Sequence, residues 1–295
     1  MEENSEIRNP LGIEPISKLL RKFAIPSIVA MLVSSFYNIV DQFFIGRTVG
    51  TLGNAATNVA FPVSTICVAL GLLFGIGGAA AFNIEMGKGN KEKAPFYIGN
   101  VVTGIMILGT IIAIGILLFL TPLLKFFGAP DNVLGYAKDY VGVTAIGIPF
   151  LIMGLGGGHI IRADGSPDFS MICNLVGAVI NIILDYLFVM VFDWQMKGAA
   201  LATIIGQFVS FALVINYLRN YKTVRLKKEH FIPSLKYIGR IASLGVTPFS
   251  NQIAIMIVQI TLNKSLTYYG ALSNYGDSIP LACAGIIMKV NQIYF

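Results

Sequence analysis

Residues 97–120 read YIGNVVTGIMILGTIIAIGILLFL, 24 positions without a single charge. A helix needs about 20 predominantly apolar residues to cross the hydrocarbon of a bilayer. A membrane strand would instead show about ten residues of in-out alternation, yet 111–120 is apolar throughout apart from Gly115. The stretch reads as a spanning helix. Working outward, six further complete runs of this kind lie at 25–45, 60–82, 140–161, 170–192, 198–218 and 241–263, and the chain end cuts short an eighth at 279–295. The composition agrees: 55% of the 295 residues are hydrophobic and 12% charged, with mean hydropathy +0.74. Soluble domains carry about 25% charged residues, so a soluble globular fold and a disordered chain are both excluded. The expected fold is an all-α polytopic membrane protein.

The net charge of +6 is a topology signal rather than a nucleic-acid surface. With connections assigned alternately to two sides, one side holds 15 of the 21 Lys and Arg, including Arg8, Lys18, Arg21, Lys22, Lys88, Arg162 and the basic stretch from Arg219 to Arg240. The positive-inside rule then makes the N-terminus cytoplasmic. The apolar run after the first 24 residues is too long for a signal-peptide core and lacks a small-residue cleavage motif, so that segment is expected to be retained. Cys67, Cys173 and Cys283 lie in apolar runs without metal-binding spacing and read as packing residues.

An internal repeat organises the chain. Ile25-Pro26-Ser27, Gly50-Thr51-Leu52-Gly53-Asn54 and Phe61-Pro62 recur as Thr247-Pro248-Phe249, Gly270-Ala271-Leu272-Ser273-Asn274 and Ile279-Pro280, at offsets of 222, 220 and 218 residues. Six spans separate the copies, and an even number preserves direction, which predicts parallel repeats about an axis along the membrane normal. The expected organisation is a six-helix lobe over 1–222, with its cytoplasmic segment 1–24, a basic linker over 223–240, and the first two helices of a second lobe over 241–295. A repeat of this length implies a complete protein of roughly 440 residues in two six-helix lobes, with this chain expected to be inactive alone.

A carboxylate in a spanning helix is costly and marks a cavity or a partner. Two of the fifteen acids qualify. Asp41 lies four residues from the outer end of the first run and Asp185 seven from that of the fifth, roughly 6 to 11 Å below the boundary at 1.5 Å per residue. Asn181, one turn before Asp185, and Tyr37 and Asn38, one turn before Asp41, share that layer with Thr203 of the sixth run. Hard oxygen ligands suit Na⁺, and a proton held between two carboxylates relieves their repulsion. Lys289 lies midway along the eighth run without a readable environment. His159 reads as an interfacial histidine, Trp194 as part of an aromatic belt, and the glycine-rich 154–158 as close helix packing rather than a phosphate loop. No catalytic motif is present, so an enzyme is not expected.

The stretch 23–62, with YNIVDQFFIG at 37–46, Gly53-Asn54-Ala55-Ala56 and Pro62, resembles the opening of the multidrug and toxin extrusion (MATE) family. NIILD at 181–185 and KGAALAT at 197–203 resemble it too, nearest the bacterial drug-exporter and DNA-damage-inducible branches. The resemblance implies twelve helices, alternating access, and export of organic cations from the cytoplasm across the plasma membrane in exchange for H⁺ or Na⁺. It implies no cofactor and places the cation site at Asp41, Asn181, Asp185 and Thr203, with Pro26 as the kink of the first helix. Phe36, Tyr37, Asn38 and Phe61 are candidates for the substrate path by cation-π or polar contact. The expected partners are small organic cations and the lipid bilayer, with no nucleic acid and a monomeric state. One departure stands out: where some members carry an acid in the seventh helix, this chain has Met256, with Gln259 and Asn263 beyond, which places coupling in the first lobe. The alternative reading is a lipid-linked oligosaccharide flippase of the same superfamily, expected to line its cavity with several Arg or Lys.

Overall fold

A computed structural model describes residues 15–291. The chain runs through α1 (Ile16–Thr48), α2 (Thr51–Gly87), α3 (Ala94–Leu118), α4 (Leu120–Phe126), α5 (Asp131–Thr144), α6 (Ile148–Ala163), α7 (Pro167–Asp185), α8 (Gln195–Arg219), α9 (Leu235–Ala271) and α10 (Ser278–Asn291), with no strand among the described residues. Seven helical stretches are long and apolar enough to cross a membrane, α5 and α6 forming one of them, and α10 is a shorter apolar helix. Residues 1–14, most of the segment expected to be cytoplasmic, and 292–295 of the eighth run lie outside the described residues.

The helices outrun the apolar runs for a physical reason. Asn54, Thr57 and Asn58 delay the apolar count of the second run to residue 60, yet all three are buried inside α2. Their polar groups meet other helices rather than lipid, so they do not end the helix. Lys236 and Arg240 likewise postpone the seventh run to 241, while α9 starts at Leu235 and takes in the last third of the expected linker. The fourth run is divided. A 3-10 turn at Ala145–Gly147 separates α5 from α6, beside Pro149 in the first turn of α6, whose ring leaves no N–H for the carbonyl four residues earlier.

Small residues bring the helices together. A Cβ on Gly75 would lie 2.7 Å from the Gly156 Cα, and one on Gly206 would lie 2.7 Å from the Gly177 carbonyl, so α2 meets α6, and α7 meets α8, backbone against backbone. Gly77 abuts the Ile241 carbonyl and Gly245 the Leu73 carbonyl, which joins α2 of the first lobe to α9 of the second. Close approach of this kind gives dispersion contact where lipid offers no hydrophobic drive between helices. The glycine-rich 154–158 is spent in this way: Gly156 faces Gly71 and Gly75, and Gly157 faces Val214. His159 is half-buried beside Gly75. Cys67 and Cys173 are buried, whereas Cys283 is exposed on α10, outside the packed role expected of it.

The repeat has structural counterparts. Pro26 lies inside the 33-residue α1 and Pro248 inside the 37-residue α9, and both helices continue through them. At the following turn Gly50 takes φ +79, a left-handed conformation that glycine adopts without strain. The turn after α9 is longer and takes its positive φ at Gly276 instead.

At the ends of the bundle, polar side chains tie the connections down. Asp164, just after α6, accepts from the Tyr217 hydroxyl at 2.7 Å, the Lys222 amide at 2.8 Å, the Thr223 amide at 2.9 Å and the Thr223 hydroxyl. In the connection from α8 to α9, the Ser234 amide donates to Asn100 Oδ1 at 2.7 Å. Trp194 stacks on Phe188 with ring centroids 5.0 Å apart.

Candidate functional site

Asp41 lies seven residues before the end of α1. Asp185 is the last residue of α7, and a π-helical segment, Tyr186–Val191, continues six residues beyond it. At 1.5 Å per residue the two acids sit about 10 and 9 Å from those helical ends. α1 packs along α7, which brings Asp41 and Asp185 within electrostatic reach of one another. Asp41 is 5% exposed and Asp185 is fully buried. Mid-helix π segments cluster at functional positions, and this one begins on the residue after the second acid. Phe44 of α1 packs on Tyr186 of the π segment at 6.3 Å between centroids, so the backbone irregularity is held against the helix that carries Asp41.

The polar atoms of this layer are unevenly partnered. The Asn181 amide nitrogen donates to Thr203 Oγ1 at 3.5 Å, linking α7 to α8. Among the described residues, Asp41 Oδ1, Asn181 Oδ1 and both carboxylate oxygens of Asp185 are buried without a hydrogen-bond partner. Asn181 lies one turn before Asp185 on the same helix. Buried polar atoms are ordinarily paired, and leaving one unpaired costs about 1–3 kcal/mol, more for a charged group. Four oxygen acceptors without donors in one layer form a set suited to a bound proton or a hard monovalent cation. No group of three or more His, Cys, Asp or Glu able to hold a metal occurs among the described residues, and two acids, an amide and a hydroxyl are the wrong donors for a transition metal.

The remaining expected residues divide. Tyr37 is half-buried, within electrostatic reach of both acids. With Asn181, Thr203, Gln207 and Ser210 it lines a cavity of about 80 Å³ among α1, α6, α7 and α8. Asn38 spends its amide on the Ser34 carbonyl of its own helix at 2.8 Å. Phe36 is 63% exposed; Phe61 is half-buried on α2. Pro26 is buried in the first half of α1, well removed along the helix from Asp41.

Three features were not read from the sequence. Tyr140 of α5 stands beside Thr203 within reach of Asp41, Asp185 and Tyr37; as one tyrosine at the start of an apolar run it gave no signal. Gln42 donates to Asn54 Oδ1 at 2.6 Å and to Thr57 Oγ1 at 3.0 Å, fixing α1 to α2 next to Asp41. The third is the surroundings of Lys289 on α10, which is 13% exposed, with its Nζ 4.0 Å from Asp41 Oδ2. A second cavity of about 460 Å³ opens between α1 and α10, lined by Gln42, Phe43, Arg47, Asn54, Ile286 and Lys289.

The lobes also meet through amides. Gln259 and Asn263, fully buried on α9, join Asn58 of α2: Gln259 Nε2 donates to Asn58 Oδ1 at 3.1 Å, and Asn58 Nδ2 donates to Asn263 Oδ1 at 3.1 Å and to the Leu281 carbonyl at 3.0 Å. The polar residues past Met256 are thus a joint between α2, α9 and α10.

An all-helical, multi-pass membrane protein with a repeated helix pair and a buried acid layer is the architecture of a secondary transporter. The family model described as MatE matches residues 26–187, and the chain belongs to this family. It is 29% identical over 269 residues to the multidrug export protein MepA of Staphylococcus saprophyticus, and 30% over 271 residues to MepA of Staphylococcus aureus strain MRSA252. Each alignment covers 90% of this chain and 60% of the relative, so the chain spans about 60% of the length of the curated relatives it matches. Among solved structures, the MATE multidrug transporter DinF-BH, in complex with a small molecule, superposes with a TM-score of 0.88 at 31% identity, covering 96% of this chain and 62% of that one. An inward-facing multidrug resistance MATE transporter shares the fold, with a TM-score of 0.78 at 23% identity.

Proposed function

We propose that this protein is a secondary active antiporter that exports cationic drugs and toxins from the cytoplasm in exchange for H⁺ or Na⁺, by alternating access between two lobes. The observation that carries the reading is the set of buried, unpaired oxygens on Asp41, Asp185 and Asn181. Such atoms persist when a ligand completes them. The names of the similar proteins, a multidrug export protein and a multidrug transporter in complex with a small molecule, support the substrate class. The excess of basic residues on one side supports a cytoplasmic N-terminus in the plasma membrane.

In this scheme the coupling ion sits among Asp41, Asp185, Asn181 and Thr203. Its arrival neutralises a buried negative layer and favours one arrangement of α1 against α7; a drug cation favours the other, because each ligand shifts the balance only by its preference for one state. Pro26, which leaves the Lys22 carbonyl without its helical donor, supplies a point at which α1 bends. Tyr37 lies on the route of a cation toward the acids.

The test is efflux of a fluorescent cationic dye from cells that express the full-length protein, wild type against Asp41→Asn at equal abundance. Export by the wild type and not by the variant supports antiport through the first lobe, and imposed pH or Na⁺ gradients then identify the ion. A second reading rests on Arg47 and Lys289, which both line the larger cavity and could face a pyrophosphate. If neither protein exports dye, a lipid-linked oligosaccharide flippase takes first place.

A further inference from the structure

Lys289 is the unassigned charge of this molecule. It stands eleven residues into α10, about 16 Å along the helix axis, and is half-buried. A cation buried among apolar helices is stable only when paired, and the acid nearest to it is Asp41 on α1. The pair is loose. At 4.0 Å between Nζ and Oδ2 it lies well beyond the roughly 2.7–2.9 Å of a charge-assisted hydrogen bond, and the other Asp41 oxygen has no partner. The Lys289 charge reaches Asp185 as well. The side chain also borders the cavity of about 460 Å³ between α1 and α10, which gives both a ligand and the lysine head room to move.

We propose that Lys289 is a specificity-determining residue of the cation site, a tethered cation that occupies Asp41 and must be displaced by the mobile monovalent cation that binds there. The inference rests on the antiport reading of Asp41 and deepens it. With Lys289 against Asp41, two carboxylates and one ammonium leave one negative charge in the layer, enough for one further monovalent cation; with Lys289 withdrawn there is charge for two. A proton, Na⁺ and an organic ammonium or phosphonium diffuse freely, whereas Lys289 is fixed to α10. Exchange of one for the other at Asp41 therefore swings the lysine head from α1 into the cavity between α1 and α10, which ties ligand occupancy to the contact between these two helices. The same competition rejects neutral molecules, which gain nothing by displacing the lysine.

The experiment measures binding of tetraphenylphosphonium, a permanently charged monovalent cation, to the purified full-length protein, together with its transport in proteoliposomes. Lys289→Met keeps the length and apolar stem and removes the competitor, so Kd is expected to fall about three- to tenfold, the range of a partly desolvated ion pair, while turnover slows because release no longer has a replacement charge. Lys289→Arg restores both, and in an Asp41→Asn background Lys289→Met changes neither. Lys289→Gln serves as the neutral variant if the methionine protein does not fold. Unchanged or weaker binding by a folded neutral variant, with Asp41→Asn impaired, overturns the inference and leaves the antiport reading standing. Full binding and transport by Asp41→Asn overturns both.

Discussion

Two polar regions are buried in this molecule, and they are built on opposite terms. At the joint between the lobes, Asn58, Gln259 and Asn263 bond to one another and to the Leu281 carbonyl, and none of their buried polar atoms lacks a partner. In the acid layer, four oxygens of Asp41, Asn181 and Asp185 are enclosed by the same kind of helix packing with no donor to meet them. Neutral amides carry donor and acceptor together, so three of them close a network among themselves. Ionised carboxylates only accept, so a pair of them cannot. The first arrangement holds helices together; the second is complete only with something from outside.

Substitutions that remove a polar group should therefore have opposite effects in the two regions. The largest contrast is expected for Asp185→Asn, which keeps the shape and deletes an uncompensated buried charge. Dye efflux should fall at least about tenfold, the equivalent of about 1.4 kcal/mol, while the melting temperature in detergent stays level or rises. A drop in both would make Asp185 a structural residue and erase the contrast. Asn58→Ala should do the reverse, removing its side-chain bonds to Gln259, Asn263 and the Leu281 carbonyl and leaving the two α9 amides bonded mainly to each other, at a cost of about 1–3 kcal/mol. A lowered melting temperature with the intrinsic affinity for the dye retained would confirm the joint; an unchanged melt would deny it.

A smaller effect sharpens the boundary of the acid layer. Thr203→Val removes the acceptor of the Asn181 amide without changing volume, and the apparent affinity for the coupling ion should weaken up to about fivefold, the worth of about 1 kcal/mol. Transport rates at varied ion concentration would read it, and an unchanged half-saturation would place Asn181 outside the site. The smallest effect lies outside the membrane. Burial pushes the His230 imidazole below its ordinary value, Lys227 lowers it further and Glu229 partly offsets this; the neutral ring accepts the Lys227 amide at Nδ1, 3.0 Å away. A depressed histidine contributes its full stability above the unfolded value of about 6.5 and loses it as pH falls below that. The protection of the Lys227 amide against exchange, taken relative to its intrinsic rate at each pH, should fall between pH 7 and 5, and His230→Phe should abolish that dependence.

Much of the fold was legible because the membrane sets a simple rule. A chain that must satisfy its backbone hydrogen bonds inside lipid forms helices, so run length and apolar content located the seven spanning stretches without knowledge of their neighbours. What the apolar count could not read was polarity hidden between helices: Asn54, Thr57 and Asn58 looked like the approach to a span and are part of one. Of the site, Asp41, Asn181, Asp185 and Thr203 could be ranked by depth alone, since distance along a helix fixes level. Tyr37 lies within electrostatic reach of the acids while its neighbour Phe36 is exposed, a difference of one helical step that hydropathy does not resolve.

By itself the sequence determined the helices, the repeat, and the position along its helix of each intramembrane charge. These follow from local quantities: residue polarity, spacing and rise per residue. The tertiary structure alone decided which polar atoms find partners. Asn58 lies about 200 residues from Gln259 and Asn263 in sequence and closes a network with them, Tyr140 is drawn to the acids, and Lys289 of the second lobe faces Asp41 of the first. Partnering depends on how helices cross, and those crossings are set by glycine contacts such as Gly77 with Ile241 and Gly245 with Leu73, long-range packing that no local property of the sequence encodes.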